Sequence, residues 1–412
     1  MSVGIEQLAV YVPPYVLSLD ALAAARGVPA EKFREGLGVR EMAIAPPCED
    51  VVTLAASAGA RALRASRIDP GDIGMLLVAT ETGVDHAKPV SIFVHELLGI
   101  GRQCRVYELK HACYAGTAAL MSAADWVRAG GTRPRRALVI AADIARYAIG
   151  SPGEPTQGAG AVAMVVGREP GSLVLGEESG TYAGNVYDFW RPLGRREAMV
   201  DGKYSVECYL EALAGAFTAY RALERPALGA DEPLSARLAR FLYHTPFPKM
   251  AVKAHRRLLE LDWRATAARA AGETDRLEEA MVASHRDAVA PGLEAVARVG
   301  NTYTASLYLC LAALLEREGS RLAGQRLGLF SYGSGCCAEF FTGLVPTGVA
   351  VQAGVAELLR ERTAIDIEAY ERLVREGDAG GEPPPGFTGE FVFQGVRDER
   401  REYARFAPAL AA

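Results

Sequence analysis

Residues 106–117 read VYELKHACYAGT, and this stretch decides the fold. VYEL has the composition of a strand, and the small residues after the cysteine begin an Ala-rich helical pattern that ends at Gly130. A strand that leads directly into a helix is typical of α/β proteins. Cys113 stands at the start of this helix, where unpaired N–H groups and the helix dipole stabilise a thiolate. Cys113 is therefore a candidate nucleophile, although a small buried apolar residue is the common alternative.

The rest of the chain continues the alternation of helical and strand-like patterns, and it also repeats itself. Apolar runs LLVATETG and FLYHTPFP end in similar turns, and helices are entered through small residues at ACYAGTAAL and NTYTASLYL. The separations Cys113 to Asp143 and Asn301 to Ser331 are both 30 residues. We therefore predict an α/β fold with two similar halves, at 1–170 and 171–412, and a helical insertion near 264–285 in the second.

Composition excludes several classes of protein. Half of the 412 residues are hydrophobic and the net charge is −5, so nucleic-acid binding is not expected. No apolar run approaches the roughly 18–20 residues of a membrane span, and the N-terminus lacks the pattern of a signal peptide. The seven cysteines show no CxxC spacing, which argues against a metal site or a disulfide framework and favours the cytoplasm. Neither GxGxxG nor a P-loop is present, so no bound cofactor is expected.

Polar residues stand where predicted strands end and helices begin. A half-buried Glu81, at the end of one strand, would have a raised pKa and could act as a base, whereas an exposed carboxylate is the ordinary alternative. His244 follows another apolar run, where polar work at a site and a structural role are both open. Asn301 precedes a helix and could simply cap it. The turn SYGSG at 331–335 could supply N–H groups to an oxyanion hole together with Cys113.

These candidates lie within longer motifs. ELKHACYAGTAAL, GEPTQGAGAVAM, YDFWRP, DGKYSVECYLEAL, YHTPFPKMAVKA, GNTYTASLY and YGSGCCAEFF, together with the Glu81 strand, span about residues 76–345. Taken together, the motifs resemble 3-hydroxy-3-methylglutaryl-CoA synthases of the thiolase superfamily. The resemblance implies a thiolase-like, duplicated five-layer α/β fold and a homodimer.

The resemblance also implies roles for individual residues. Cys113 would take an acetyl group as a thioester, Glu81 would remove a proton from its methyl group, and His244 would orient the β-ketoacyl acceptor and polarise its ketone. Asn301 would help to hold the acceptor. Ketoacyl synthases of type III share the cysteine, histidine and asparagine but lack the glutamate, so Glu81 favours the aldol-type synthase. Further residues in matching segments are expected to line the substrate site: Tyr114, Asp143, Tyr147, Thr156, Asp188 and Ser334.

The carrier of the acyl groups is open between two kinds of phosphopantetheine thioester. His111 replaces the usual glutamine, and YDFWRP and GSGCCAEFF look more like the enzymes of polyketide β-branching, which use donor and acceptor acyl carrier proteins. We therefore predict that the chain makes a 3-hydroxy-3-methylglutaryl-type thioester on a carrier protein. A mevalonate-pathway synthase that uses acetyl-CoA and acetoacetyl-CoA is the alternative, and a non-catalytic thiolase-fold partner is an alternative of another class. Whether the donor is acetyl or propionyl stays open.

A basic stripe after His244 bears on the carrier without deciding between the two. At helical spacing its residues share one face, which suits an acidic, phosphorylated carrier and equally suits CoA. A solvated helix face is the ordinary alternative. The stripe consists of Lys249, Lys253, Arg256 and Arg257.

Overall fold

The structure, a computed structural model, has a mixed α/β fold and describes residues 2–130, 135–224, 228–229, 232–265, 279 and 281–406. Its strands are β1 (Gly4–Tyr11), β2 (Tyr15–Ser18), β3 (Glu41–Ile44), β4 (Ile73–Ala79), β5 (Arg105–Leu109), β6 (Arg136–Ile144), β7 (Ala159–Gly167), β8 (Leu173–Ala183), β9 (Phe189–Trp190), β10 (Met199–Val200), β11 (Arg240–Tyr243), β12 (Arg326–Gly333), β13 (Cys337–Leu344), β14 (Thr363–Ala364), β15 (Phe391–Arg397) and β16 (Arg400–Arg405). Its helices are α1 (Leu19–Ala25), α2 (Glu31–Arg34), α3 (Val51–Ser66), α4 (Val90–Leu97), α5 (Ala115–Arg128), α6 (Gly202–Glu224), α7 (Pro248–Arg264), α8 (Glu294–Val299), α9 (Ser306–Leu322), α10 (Val355–Arg360) and α11 (Ile367–Glu376).

One large sheet carries the duplication, with the strand order β11-β12-β13-β8-β1-β7-β6-β4-β5. In the first half, β4 pairs with β6 in parallel, and the pairs β6–β7 and β7–β1 are antiparallel. In the second half, β11 pairs with β12 in parallel, and the pairs β12–β13 and β13–β8 are antiparallel. The same series of pairings occurs twice, so the predicted duplicated α/β fold is confirmed. The boundary at 170/171 stays a prediction, and it falls between β7 and β8.

Two long helices lie in the interior because their apolar residues face more than one side. All of Val51–Ala60 in α3 is buried, and α9 is buried along most of its length. A helix that is apolar nearly all round requires packing partners on opposite sides. Asp50 caps α3, accepting hydrogen bonds from the main-chain N–H groups of Val52 and Thr53. Within the described parts of the chain, no helix is long and apolar enough to cross a membrane.

The parallel strands bring the candidate residues to one edge of the sheet. β4 and β5 are parallel neighbours, and their carboxyl ends lead to Glu81 and Cys113. The end of β12 lies against the cysteine loop from the other half. A Cβ atom on Gly333 would lie 2.6 Å from the carbonyl oxygen of His111, so this approach requires glycine.

Two peripheral segments complete the description of the chain. Most of the predicted insertion near 264–285 lies outside the described residues. The Pro/Gly-rich segment from Asp378 leads into the hairpin β15–β16, in which Phe391 and Phe393 are buried. Arg401 of this hairpin lies 2.7 Å from the buried Asp50. The C-terminal segment is therefore anchored on the amino end of α3.

Candidate active site

A cavity of about 350 Å³, the front cavity, brings together residues from both halves of the chain. Its wall is mostly apolar or aromatic, as is usual for pockets that bind small molecules and cofactors. Six of the predicted site residues line it: Cys113, Tyr147, Thr156, His244, Asn301 and Ser334. Other lining residues include Leu37, Phe189, Tyr209, Phe247, Met250 and Tyr303.

Cys113 lies on the loop between β5 and α5, two residues before the helix begins. Its Sγ lies 3.5 Å from Oε1 of Glu81. Burial raises the pKa of the Cys113 thiol well above its ordinary value, and the nearby Glu81 carboxylate raises it further. The expectation of a thiolate stabilised by the helix N-terminus is therefore wrong for the free protein, because burial and a neighbouring negative charge outweigh the dipole. The thiol requires a base to activate it.

Glu81 follows β4 and is 9% exposed. Burial raises the pKa of its carboxyl to about 8, and the negative charge of Asp143 acts in the same direction. Arg191 and the contact with Cys113 lower this pKa, but by less. The direction agrees with the sequence-based expectation, and a carboxylate with a pKa near 8 is a stronger base than an ordinary one.

Glu81 is not among the residues that line the front cavity and meets it through the contact with Cys113. It borders a second cavity, of about 650 Å³, which we call the rear cavity. Its lining carries many charged side chains, and the basic ones outnumber the acidic ones. The charged residues that line it are Lys110, Arg146, Arg191, Arg195, Arg196 and Arg401 with Glu81, Asp85, Glu108 and Asp378. The main-chain carbonyl of Glu81 accepts a hydrogen bond from the Arg191 guanidinium.

His244 follows β11 directly and is 3% exposed. Its main chain is held on both sides, because its N–H donates to the carbonyl of Phe330 (2.7 Å) and its own carbonyl accepts from the Tyr209 hydroxyl (2.8 Å). Burial lowers the pKa of the imidazole to about 3, so the ring is neutral near pH 7. Its Nδ1 is buried without a hydrogen-bond partner among the described residues. A neutral imidazole can polarise a carbonyl by donating a hydrogen bond.

Asn301 is buried ahead of α9 and is more than a helix cap. Its Oδ1 accepts hydrogen bonds from the N–H of Tyr303 and the hydroxyl of Ser306, both at 2.9 Å. These bonds orient the side chain and leave the amide NH₂ as its donor towards the cavity. Tyr303 has a φ of +43°, and Ala112, beside Cys113, has a φ of +39°. Both are unusual for residues with side chains, and such conformations cluster at functional sites.

Asp143 does not line the front cavity, which corrects its assignment as a substrate contact. It is 0% exposed, and its two oxygens connect two loops. Oδ1 accepts from the hydroxyls of Thr80 (2.8 Å) and Thr82 (2.7 Å) and from the N–H of Glu81 (2.9 Å). Oδ2 accepts from the hydroxyl of Thr304 (2.6 Å) and from its N–H (3.1 Å). With all these donors, Asp143 positions the Glu81 loop against the segment that follows Asn301.

Tyr114 and Asp188 also lie away from the front cavity, so their assignments are corrected in the same way. The Tyr114 hydroxyl donates to Glu339 (2.7 Å). Asp188 is 0% exposed and accepts hydrogen bonds from the Tyr332 hydroxyl (2.7 Å) and from the N–H of Gly335 (3.1 Å). Tyr114 therefore connects the cysteine loop to β13, and Asp188 fixes the turn after β12. A motif that contains a residue does not show where its side chain points.

The glycine turn after β12 can supply fewer oxyanion donors than expected. The N–H of Gly335 is taken by Asp188, and that of Cys336 donates to the carbonyl of Gly184 (2.5 Å). Ser334 lies between β12 and Gly335 in the chain and lines the front cavity. Tyr147 and Thr156 complete the opposite wall, where the Tyr147 N–H donates to Gln157 (2.6 Å) and the Thr156 hydroxyl donates to Gly153 (2.8 Å).

The basic stripe lies on α7, as its spacing predicted. Phe247 and Met250 line the front cavity, so the stripe begins beside it and extends away along the helix. Arg256 and Arg257 lie 3.2 and 3.8 Å from Glu260, which partly offsets their charges. Three of the four side chains are exposed and Arg257 is half-buried. Within the described ranges no cluster of His, Cys, Asp and Glu could hold a metal ion.

Sequence reasoning missed three residues that shape the site. Arg191 contacts the loop of Glu81, and Tyr209 holds the main chain of His244. Phe189 packs edge-to-face on Tyr303, with ring centroids 5.7 Å apart, and forms part of the cavity wall. Arg191 and Phe189 lie in the YDFWRP motif and Tyr209 in DGKYSVECYLEAL, so the motifs marked the segments but not these contacts.

Comparisons with known proteins cover nearly the whole chain. The family model "Hydroxymethylglutaryl-coenzyme A synthase N terminal" matches residues 1–171, and "Hydroxymethylglutaryl-coenzyme A synthase C terminal" matches 174–284 and 274–372. A hydroxymethylglutaryl-CoA synthase of Enterococcus faecalis is 39% identical over 91% of this chain and 92% of its own length.

Two solved structures that differ in their bound partner are also similar. A structure described as MvaS in complex with 3-hydroxy-3-methylglutaryl coenzyme A is 46% identical, with a TM-score of 0.90 over 98% of this chain and 99% of its own. The curacin biosynthetic pathway HMG synthase in complex with its holo donor-ACP is 32% identical, with a TM-score of 0.86 over 98% of this chain and 100% of its own.

Proposed function

The chain belongs to the hydroxymethylglutaryl-coenzyme A synthase family, and on that premise we propose that it condenses an acetyl group on Cys113 with acetoacetyl-CoA. Membership of the family makes it an enzyme, an acyltransferase that forms a carbon–carbon bond. One observation carries the proposed roles: the 3.5 Å contact of Cys113 with Glu81 at a cavity that His244 and Asn301 also line. Nucleophile, base and carbonyl-binding groups are thus within reach of one substrate.

Acetyl transfer to Cys113 begins with the neutral thiol. The Glu81 carboxylate accepts the thiol proton across the contact, and Sγ attacks the carbonyl carbon of the acetyl donor. The bond between that carbon and the donor's sulfur breaks, and the carrier leaves as a thiol. Burial disfavours the charged form of both the Cys113 thiol and the Glu81 carboxyl, so only one of the two is ionised at a time.

Enolate formation uses the same carboxylate. Once Cys113 is a neutral thioester, Glu81 removes a proton from the acetyl methyl group, and its raised pKa increases its basicity. The enolate carbon then attacks the ketone of the acceptor. The neutral His244 imidazole donates a hydrogen bond to the ketone oxygen, and the NH₂ group of Asn301 supplies a second donor. The alkoxide takes up the proton that Glu81 removed from the methyl group, which restores the Glu81 carboxylate, and hydrolysis of the Cys113 thioester completes the cycle.

Coenzyme A is the proposed carrier because sequence identity favours it. The similar structure bound to a coenzyme A thioester shares 46% of its residues with this chain, and the donor-ACP complex shares 32%. The exposed residues of the basic stripe suit the phosphates of either carrier.

Donor and acceptor acyl carrier proteins are the second candidate, because the motifs YDFWRP and GSGCCAEFF favour them. In that case the product is a 3-hydroxy-3-methylglutaryl-type thioester for polyketide β-branching. Acyl carrier protein substrates stay a prediction.

Intact-mass spectrometry after brief incubation with acetyl-CoA, or separately with acetyl-carrier protein, tests the carrier. We expect rapid acetylation from CoA, no acetylation of Cys113→Ala, and formation of the condensed product only when acetoacetyl-CoA is added. Rapid acetylation from the carrier protein alone would overturn CoA in favour of polyketide β-branching. If neither donor acetylates Cys113, the nucleophile assignment fails for these donors, which leaves another acyl donor, such as a propionyl thioester, or the non-catalytic partner.

We also propose that the chain is a homodimer, as the resemblance implies. β5 is the last strand of the sheet on its side, and its Tyr107 is 39% exposed. An edge strand can pair with a second copy. Light scattering coupled to size-exclusion chromatography tests the proposal, and a monomer at micromolar concentration would contradict it.

A further inference from the structure

The front and rear cavities share a wall, in which residues that line one cavity contact, or lie next to in the chain, residues that line the other. Cys113 lines the front cavity, and its contact Glu81 lines the rear one. Tyr147 lines the front cavity while its chain neighbour Arg146 lines the rear one. The same change of side occurs between Phe189 and Arg191 and between Ala198 and Arg196. Glu81 therefore contacts the cysteine of the front cavity and itself borders the rear cavity.

The rear cavity has the properties of a compartment that holds water. Its volume of about 650 Å³ is far larger than the roughly 10–15 Å³ that one water molecule needs, and its charged walls offer many hydrogen bonds. Its outer part is formed by exposed residues, among them Gly83, Asp85 and Leu193, so it communicates with solvent.

The last step of the reaction needs water while the front cavity is occupied. After condensation the acyl group is bonded to Cys113 at one end and to the acceptor carrier at the other. The carrier's arm therefore runs out through the front cavity, whose volume is about 350 Å³. Water that came from the front would have to pass this arm along apolar residues such as Phe247 and Met250.

We propose that the rear cavity supplies the water that hydrolyses the Cys113 thioester, with Glu81 as the group that receives it. Glu81 takes one proton from the water, and the water oxygen bonds to the acyl carbon. The bond from that carbon to Sγ breaks, and Glu81 returns the proton to the departing sulfur. The new carboxylic acid loses its proton to the water of the rear cavity. The inference rests on the proposed role of Cys113 as the acyl carrier.

Filling the rear cavity tests the proposal without touching the reacting groups. Gly83→Trp places a large ring in the cavity, and a Cβ atom there would have one neighbour within 4 Å, the Glu108 carboxylate oxygen at 3.3 Å. Ala87→Trp fills the exposed part of the same cavity, and it tests the water route if Gly83→Trp does not fold. The matched control is Gly348→Trp, because Gly348 is exposed, has open space around it and lines neither cavity.

Each variant is acetylated with the donor that labels the wild type, freed of donor and mixed with acetoacetyl-CoA, so that the acceptor's arm occupies the front cavity. Intact-mass spectrometry then follows the loss of the condensed acyl group from Cys113. We expect hydrolysis to slow about tenfold in the two cavity variants, while their acetylation rates and all rates of the control stay within about twofold of wild type. Unchanged hydrolysis in the folded cavity variants would overturn the proposal, and so would an equal loss of acetylation and hydrolysis. A wild type that is not acetylated at all would refute the proposed function and the water route with it.

Discussion

Replacement of Arg191 by glutamine is expected to raise the pKa of Glu81 and to move enolate formation to higher pH. The Arg191 guanidinium donates to the Glu81 carbonyl, and its charge lowers the pKa of a carboxyl that burial and Asp143 raise to about 8. Glutamine keeps a hydrogen-bond donor for the carbonyl and removes the charge. The substitution therefore separates the electrostatic effect of Arg191 from its effect on the loop.

The size of the shift follows from the position of the charge beside Glu81. If the two unit charges are taken to lie about 6 Å apart in a medium with an effective dielectric constant of about 20, they interact by about 2.8 kcal/mol, equivalent to about two pKa units. Solvent in the rear cavity screens this interaction, so we expect a rise of about one unit. At pH 7 the ionised fraction would then fall from roughly one-tenth to one-hundredth, and methyl proton removal would slow about tenfold. The rate well above the shifted pKa would be unchanged.

The assay is the exchange of the acetyl methyl protons with deuterium on the acetylated enzyme, measured by mass spectrometry across a range of pD. Arg191→Lys is the control, because it keeps the charge and should keep the pH at which exchange becomes half-maximal. If the glutamine variant shows the wild-type midpoint, then Arg191 does not tune Glu81. A lower plateau at every pH with an unchanged midpoint would also refute the reasoning, since it would indicate a displaced loop.

Three further predictions concern other parts of the molecule. Glu49 is 0% exposed, and burial raises its pKa from 4.5 to about 8, so the folded state holds this proton more tightly and the unfolding free energy falls as pH rises between these values. Glu49→Gln should remove up to roughly 4 kcal/mol of this pH dependence, measured by urea titration at several pH values. An unchanged dependence of the unfolding free energy on pH would contradict the prediction. His244→Ala should keep acetylation of Cys113 but slow condensation by about 10²–10⁴-fold in rapid-quench assays. Because burial lowers the pKa of His244 to about 3, the pH–rate profile of the wild type should show no ionisation of this histidine above about pH 5. Phe393→Ala should lower the unfolding free energy by about 3–5 kcal/mol because Phe393 is fully buried. The control, Val396→Ala, is at a residue 58% exposed on the same hairpin and should change the unfolding free energy by less than about 0.5 kcal/mol. Equal effects of the two variants would show that the hairpin is not packed as described.

Local sequence patterns predicted the elements around the site well. The Ala-rich helical pattern after Cys113 is α5, which ends at Arg128, two residues before Gly130, and the apolar run LLVATETG begins within β4, which ends at Ala79. These patterns are readable because the periodicity of apolar residues is a local property. The motifs, and the family resemblance that they carry, predicted that Cys113, Glu81, His244 and Asn301 share one site. Each of these residues lies at the end of a strand or ahead of a helix.

Side-chain directions were not readable in the same way. Tyr114, Asp143 and Asp188 all point away from the front cavity, towards partners that lie 225, 161 and 144 residues away in the chain. Which residue types occupy a segment is local information, but whether a carboxylate meets substrate or a distant threonine depends on the packing of both halves. The pKa of Cys113 was misjudged for a related reason, since burial is a property of the whole fold.

The hairpin β15–β16 was missed because its turn carries no glycine or asparagine. Asp398 and Glu399 connect the strands, with φ values of +50° and +60°. Two-residue turns of this kind need positive φ at both positions and are usually marked by Asn-Gly or Asp-Gly. The Pro/Gly-rich segment before the hairpin has the composition of a loop, which does not indicate that strands follow it.

The buried carboxylate of Asp143 has a consequence for how genes of this family can exchange segments. It accepts hydrogen bonds from Thr80 and Thr82 near one end of the gene and from Thr304 near the other. A single crossover between two relatives anywhere from residue 82 to 304 joins a base loop from one parent to an acceptor segment from the other. A chimaera whose two parents place these loops differently would strain this anchor, so it should lose more activity than the overall identity of its parents suggests. Ancestral recombination would then favour paired breakpoints, which keep the two threonine loops together as a single heritable unit.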